Sequence, residues 1–164
     1  MSDTISTLAR KFKLEVMAGA DDPSADNWTP VFGVQEFTPG KEDNLEDDSD
    51  YDSDGWTSQV RTGQSWSLEA TVARKQAQSE GGAGTYDPGQ EIIRAASDQF
   101  GIDGTVHVRW YNRNGGDEAY QGRAMAGFTD DGGSTTALST ATITLTGTGP
   151  RERISNPADA ASGE

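Results

Sequence analysis

The densest chemistry in the chain is a run of carboxylates. Residues 41 to 54, Lys-Glu-Asp-Asn-Leu-Glu-Asp-Asp-Ser-Asp-Tyr-Asp-Ser-Asp, hold eight acids and one lysine, so −7 of the net charge of −14 sits in one segment. Within it, Asp50-x-Asp52-x-Asp54-Gly55 spells the opening of an EF-hand calcium loop, in which three carboxylates and a sharp glycine turn wrap a hard cation. The continuation departs from that pattern. The twelfth loop position, where a bidentate glutamate belongs, is Arg61, and neither Lys41–Ser49 nor Trp56–Val60 carries a helical apolar stripe. The spelling therefore favours a solvated or partner-facing loop over a dedicated calcium site.

Like charges at this density repel one another, so the acidic loop, placed at 38–55, is expected to order when cations or a partner's basic groups neutralise it. Arg151 and Arg153 near the C-terminus, and Arg10, Lys11 and Lys13 near the N-terminus, are the candidate counter-charges from a neighbouring copy. A surface loop that only aids solubility is the alternative.

Nucleophilic catalysis finds little support. His107 is the only histidine, and by alternation it falls on the less apolar side of its strand, as an ordinary sheet-surface residue would. Ser65, Ser67, Ser134 and Ser139 lack a Gly-x-Ser-x-Gly elbow, and Gly81-Gly82-Ala83-Gly84 lacks the Lys-Ser or Lys-Thr continuation of a phosphate loop. Carboxylate pairs for glycoside hydrolysis leave no readable trace, because spacing across a sheet is not visible in sequence. Of the aromatic residues, Trp66 and Trp110 fall on apolar strand faces, and no basic interleaving accompanies Trp28, Trp56, Tyr51, Tyr86, Tyr111 or Tyr120. No catalytic, cofactor-binding or metal-binding residue is assigned, no cofactor is expected, and the protein is not expected to be an enzyme. The competing classes are a calcium-dependent β-sandwich binding module, resting on Asp50, Asp52, Asp54 and Gly55, and a carbohydrate-active β-sandwich, resting on acids and aromatics.

The elements that must carry these residues are mostly strands. Ala141, Ile143 and Leu145 alternate with Thr140, Thr142, Thr144 and Thr146, so this segment puts one face on a core and a row of hydroxyls in water. The same period predicts strands over Arg10–Ala18, Trp28–Phe37, Trp66–Val72, Val106–Trp110 and Glu118–Thr129, with Pro30 pushing the second toward a sheet edge. One helix is predicted over about 88–100. Asp87 is its N-cap, Pro88 takes the first helical position, Ile92, Ile93, Ala96 and Phe100 form its stripe, and Gly101 stops it. The order β-β-β-α-β-β-β with hairpin connections predicts a mainly β (α+β) domain, an antiparallel sandwich or barrel-like sheet with one flanking helix. The domain is expected over 10–149, between polar arms at 1–9 and 150–164.

A chain of 164 residues fits a single domain, and the absence of cysteine removes disulfides and thiolate sites. The first residues lack a basic start followed by an apolar stretch, so no secretion signal or membrane anchor is expected. With 13 basic residues against 27 acids, a surface that grips nucleic acid through its phosphates is disfavoured.

The ordered segments Gly55-Trp-Thr-Ser58, Trp66-Ser-Leu-Glu-Ala-Thr-Val72, Tyr86-Asp-Pro-Gly-Gln-Glu91, Val108-Arg-Trp-Tyr111, Tyr120-Gln-Gly122 and Thr142-Ile-Thr-Leu-Thr-Gly-Thr-Gly149 together resemble the major tail tube proteins of long-tailed, siphovirus-like bacteriophages. The resemblance runs from about Phe12 to Gly149. It implies a tail tube fold related to type VI secretion tube proteins, and six copies closing into a ring whose strands line a bore. It also implies rings stacked through the arms and the long loop between early strands, and DNA passing through the bore without specific binding. Tape measure, tail tip and tail terminator proteins are the implied partners. The virion tail is the implied location, with the host cytoplasm during assembly. The extra immunoglobulin-like decoration of some family members is expected to be absent.

Overall fold

Alternating apolar and polar residues can bury one face only if their strands lie side by side, and this chain builds one large sheet on that rule. The computed structural model describes residues 8–162. In chain order the elements are β1 (Phe12–Ala18), β2 (Thr29–Pro30), β3 (Val34–Asp47), β4 (Gln59–Ala73), β5 (Ala77–Ser79), β6 (Gly82–Thr85), α1 (Pro88–Ser97), β7 (Thr105–Asn112), β8 (Ala119–Asp130), β9 (Thr140–Gly147), β10 (Glu152–Arg153) and α2 (Pro157–Ser162). The main sheet runs β2-β1-β7-β8-β9-β4-β3, β10 adds to β8, and β5 with β6 forms a separate ribbon. All of these pairs are antiparallel.

The threonine strand reads as expected. Ala141, Ile143 and Leu145 of β9 are fully buried, and the pairing puts Phe37, Ala70, Ile143 and Phe128 in one cross-strand row, with Pro39, Leu68, Leu145 and Ala126 in the next. Each large side chain so buried contributes about 1.5–3 kcal/mol. The sheet curls until its ends meet: the Phe12 ring of β1 lies 5.4 Å from Phe37 of β3, and Phe37 lies 6.5 Å from Trp110 of β7. Helix α1 covers the same face through Ile93 and Ala96, so the sheet is barrel-like, with the helix as its plug. Asp87 caps α1 by accepting the Gln90 N–H at 3.2 Å, and Pro88 occupies the first turn. Trp66 sits against two glycines whose missing side chains make its room: a Cβ on Gly147 would fall 2.4 Å from the indole, and one on Gly122 2.5 Å from it.

Several boundaries differ from the sequence expectation. The acidic loop expected at 38–55 is largely strand, since β3 continues to Asp47 and the connecting loop is 48–58; with both faces in water, this ribbon has no apolar side for a periodicity to reveal. The strand expected over 28–37 is broken at Gly33, whose φ of +83° turns the chain and buries Val31 in place of Phe32 and Val34. Gln90 spans that break, donating to the carbonyls of Phe32 at 2.6 Å and Ala73 at 3.2 Å. The helix stops at Ser97 rather than near 100, and Phe100 points into solvent instead of completing the stripe. The short 3-10 turn Gly101–Gly104 must start there, and Gly104 packs so closely on Gln99 that a Cβ would meet its carbonyl at 2.6 Å.

Residues 150–164 are not an extended arm as far as they are described. β10 pairs with β8 at Gln121 and Tyr120, and buried Asn156 donates to the carbonyls of Asn112 at 2.9 Å and Gly116 at 3.2 Å. Of the N-terminal arm, residues 1–7 lie outside the described residues, and Ala9–Lys11 forms a 3-10 turn leading into β1.

Candidate functional site

The outer face of the sheet divides into a covered half and an open half. Over β1 and β7, Glu15 is buried and accepts from Arg109 at 3.0 Å and from the Tyr111 hydroxyl, while Trp28 lies over the Arg109 guanidinium at 4.7 Å. Burial, followed by the hydrogen bond to Glu15, pushes the Tyr111 phenol well above its usual range. His107 is buried on this side with Arg123 3.4 Å from its Nε2, and burial, followed by the Arg123 charge, lowers its pKa. Arg123 also donates to the Gly19 carbonyl at 2.9 Å. The sequence places His107 on the right strand face but misses its burial, because the covering segment 19–28 carries no period.

Over β8, β9, β4 and β3 the same face lies open. Its register gives three polar rows: Glu36-Thr71-Thr142-Thr129, Thr38-Glu69-Thr144-Gly127 and Gly40-Ser67-Thr146-Met125. Lys and Arg are absent from these rows, which hold hydroxyls and two carboxylates around one exposed methionine. Just beyond β8, Asp131 accepts the hydroxyls of Thr140 and Thr142, each at 2.9 Å, which extends the acidic, hydroxylated surface to the start of β9. Sequence alternation identifies the threonines, but their alignment with Glu36, Glu69 and Asp131 depends on register across four strands.

The borders of this face are incomplete. Among the described residues the outer edge of β3 pairs with nothing over Val34–Asp47, so its N–H and C=O groups stand ready for another strand. Charges along it and Pro39 blunt indiscriminate pairing. β9 pairs β4 only over Ser67–Ala73, so beyond that point β3 and β4 run on as a two-stranded ribbon, tied across the strands by an ion pair from Asp43 to Arg61 at 3.2 Å, with Lys41 of the same strand 3.6 Å from Asp43. Tyr51 and Trp56 project into solvent at its tip.

The calcium-like spelling folds as a turn. Asp50 caps the 3-10 turn Tyr51–Ser53, accepting from the Asp52 N–H and the Ser53 hydroxyl at 3.0 Å each, and Asp54 and Gly55 close it with φ of +52° and +81°. Among the described residues no three acids or histidines are grouped to hold a metal ion. Ser65 and Ser67 lie on β4, and Ser134 and Ser139 in the loop before β9, so none approaches His107 on β7 through strand pairing. Of the proposed counter-charges, Lys11 pairs with Glu118 at 2.7 Å and Arg151 lies 4.4 Å from the Tyr120 ring centre.

No protein-family model and no curated protein matches the sequence. Solved structures do match in shape. A chain in the tail of an empty gene transfer agent particle, refined with C6 symmetry, aligns at TM-score 0.67 and 12% identity, covering 92% of this chain and 100% of that one. The SPP1 tail tube subunit aligns at TM-score 0.64 and 13% identity, over 92% of this chain and 81% of that one. This chain has the tail tube fold. A chain of the anti-feeding prophage baseplate, six-fold symmetrised, shares it at TM-score 0.60 and 8% identity, over 94% of this chain and 98% of that one. The tail tube fold persists at such identities because sheet register and a buried alternating face specify it, and many apolar residues satisfy both.

Proposed function

We propose that the chain is a structural tail tube subunit without enzymatic activity. Six copies close into a ring, and the open rows of β8, β9, β4 and β3 face the bore. The observation that carries this reading is the open polar face itself: four paired strands, bounded by the free edge of β3, whose three rows hold hydroxyls and carboxylates and no fixed cation. In a monomer such an edge is an aggregation hazard, whereas a closed ring satisfies it with an identical neighbour. A wall of hydroxyls and carboxylates has no fixed cation to displace the counter-ions of a passing phosphate backbone, so DNA moves along it without sticking. The six-fold symmetry of the gene transfer agent tail supports the ring size. The subunit belongs in the virion tail after assembly in the host cytoplasm, in contact with other tail proteins at the tube's ends.

Electron microscopy of the purified protein at rising concentration tests this. Six-fold rings or tubes with a stain-filled hole are expected; a protein that stays monomeric at every concentration and ionic strength overturns the reading.

A further inference from the structure

The turn between β7 and β8 carries a reactive pair. It reads Asn112-Arg-Asn-Gly-Gly-Asp117, and Asn114 is the one asparagine of the chain followed by glycine; Asn27, Asn44, Asn112 and Asn156 precede Trp, Leu, Arg and Pro. The side-chain amide of an asparagine is open to attack by the backbone nitrogen of the next residue, and glycine there puts no Cβ in the way. Asn114 is exposed, in a turn where Asn112 accepts the Gly115 N–H on its carbonyl and the Asn114 N–H on its Oδ1, each at 3.0 Å.

The C-terminal segment docks on this same turn. Buried Asn156 donates to the carbonyls of Asn112 and Gly116, and Asp159 of α2 accepts the Gly116 N–H at 3.2 Å. A Cβ on Gly115 would fall 2.3 Å from Asp159 Oδ1, so the carboxylate lies directly against the glycine whose nitrogen would react. Dock and reactive pair therefore share residues 112–116.

We propose that Asn114 is a site of spontaneous deamidation, and that the reaction is a one-way latch on the docking of the C-terminal segment. The Gly115 nitrogen, its proton lost to a base in solution, bonds to the Asn114 Cγ; the Cγ–Nδ2 bond breaks and ammonia leaves, giving a cyclic imide. Water then opens the ring at one of its two carbonyls, yielding either aspartate or isoaspartate, in which the main chain runs through the side-chain carbon. Water is the only co-reactant. While α2 is docked, the Gly115 N–H stays bonded to the Asn112 carbonyl, so the reaction waits for the turn to open. Once isoaspartate has formed, the turn is longer by one main-chain carbon and carries a new charge beside Asp117 and Asp159, so the groups that held α2 no longer meet it. The proposal stands apart from the tail tube reading, since every group it uses belongs to one subunit.

The full chain is held warm at mildly acidic and at mildly alkaline pH and sampled by peptide mapping. The tryptic peptide 114–123 is expected to gain about 1 Da, the exchange of an amide for a carboxyl group, faster at the alkaline pH, while the peptides holding Asn27, Asn44, Asn112 and Asn156 stay unchanged. Methyl transfer by a protein isoaspartate methyltransferase reports the isoaspartate product, and Asn114→Gln abolishes both signals. No gain at residue 114, over a time in which a synthetic peptide of residues 110–118 reacts in the same buffer, overturns the site. Asp159→Ala changes an exposed residue and Asn156→Ala a buried one, and each is expected to speed the reaction about tenfold, because each removes hydrogen bonds that hold the turn closed. A rate unchanged in Asp159→Ala overturns the coupling to the dock, whether or not Asn156→Ala folds. Finally, the deamidated chain, separated by its extra charge, is expected to be cut by trypsin after Arg153 of β10 faster than the parent; equal cleavage overturns the latch and leaves only the modification.

Discussion

At Gly147 the fold depends on an absent side chain. The Trp66 indole fills the space a Cβ would take and donates its Nε1–H to the Gly149 carbonyl at 2.9 Å, so the end of β9 and the segment after it are keyed to one ring. Gly147→Ala must push the ring out of the core, and overpacking of this kind costs about 1–3 kcal/mol; a urea titration should show a lower midpoint with an unchanged slope. Two buried groups on the covered half of the sheet set pH limits. The folded chain holds the Tyr111 proton above the phenol's ordinary value near 10, whereas the unfolded chain releases it there, so the unfolded state binds fewer protons and stability falls as pH rises past about 10. The His107 pKa is lowered, so below about pH 6.5 the unfolded chain takes up a proton that the folded chain refuses, and stability falls as pH drops. Urea midpoints across pH should decline at both ends. Tyr111→Phe should flatten the alkaline limb and His107→Gln the acidic one, and limbs unchanged by these substitutions would assign the decline to other groups.

The ribbon formed by the outer parts of β3 and β4 is an independent element. It extends past the last β9 pair at Ser67–Thr146, and apart from Trp66, the one buried side chain at its root, it holds no core residue. Replacing residues 45–62 with a two-residue Asn-Gly turn, which joins the paired Asn44 and Gly63, should therefore leave the melting temperature within a few degrees of the parent, while stacked tubes disappear from micrographs; a collapse in stability would show that the ribbon supports the domain. This element also marks the limit of what the sequence reveals. Strands with one buried face, such as those holding Ile143 or Leu68, are legible because burial imposes a period of two. The ribbon is wet on both sides, so its pairing comes from backbone hydrogen bonds that leave no mark on composition. The same limit hid the docking of α2 through Asn156 and the covering of His107, both made by polar residues without a period. Of the candidate site, the hydroxyl row was legible, and its junction with Glu36, Glu69 and the free β3 edge was not, since that takes the order β8-β9-β4-β3.

For the whole molecule, the decisive property is how little the open face offers to a polyanion. In a six-fold ring, one substitution per subunit appears six times at a single height of the bore, so a small local change becomes a collar of charge. Thr144 stands exposed at the centre of the middle row, between Glu69 and Gly127, on the face of β9 opposite the core. Thr144→Lys should leave rings and stacks intact, because β9 lies two strands in from the free edge of β3. It should instead create a DNA-binding collar whose affinity falls steeply with salt, in the manner of counter-ion release. Tubes of the parent protein are expected to leave a labelled single-stranded oligonucleotide free in a gel-shift measurement at low salt. Thr144→Lys tubes should retain it and release it as the salt rises. Equal retention by both would mean that the threonine rows lie outside the bore, and loss of assembly in the variant would place Thr144 at an interface between copies instead.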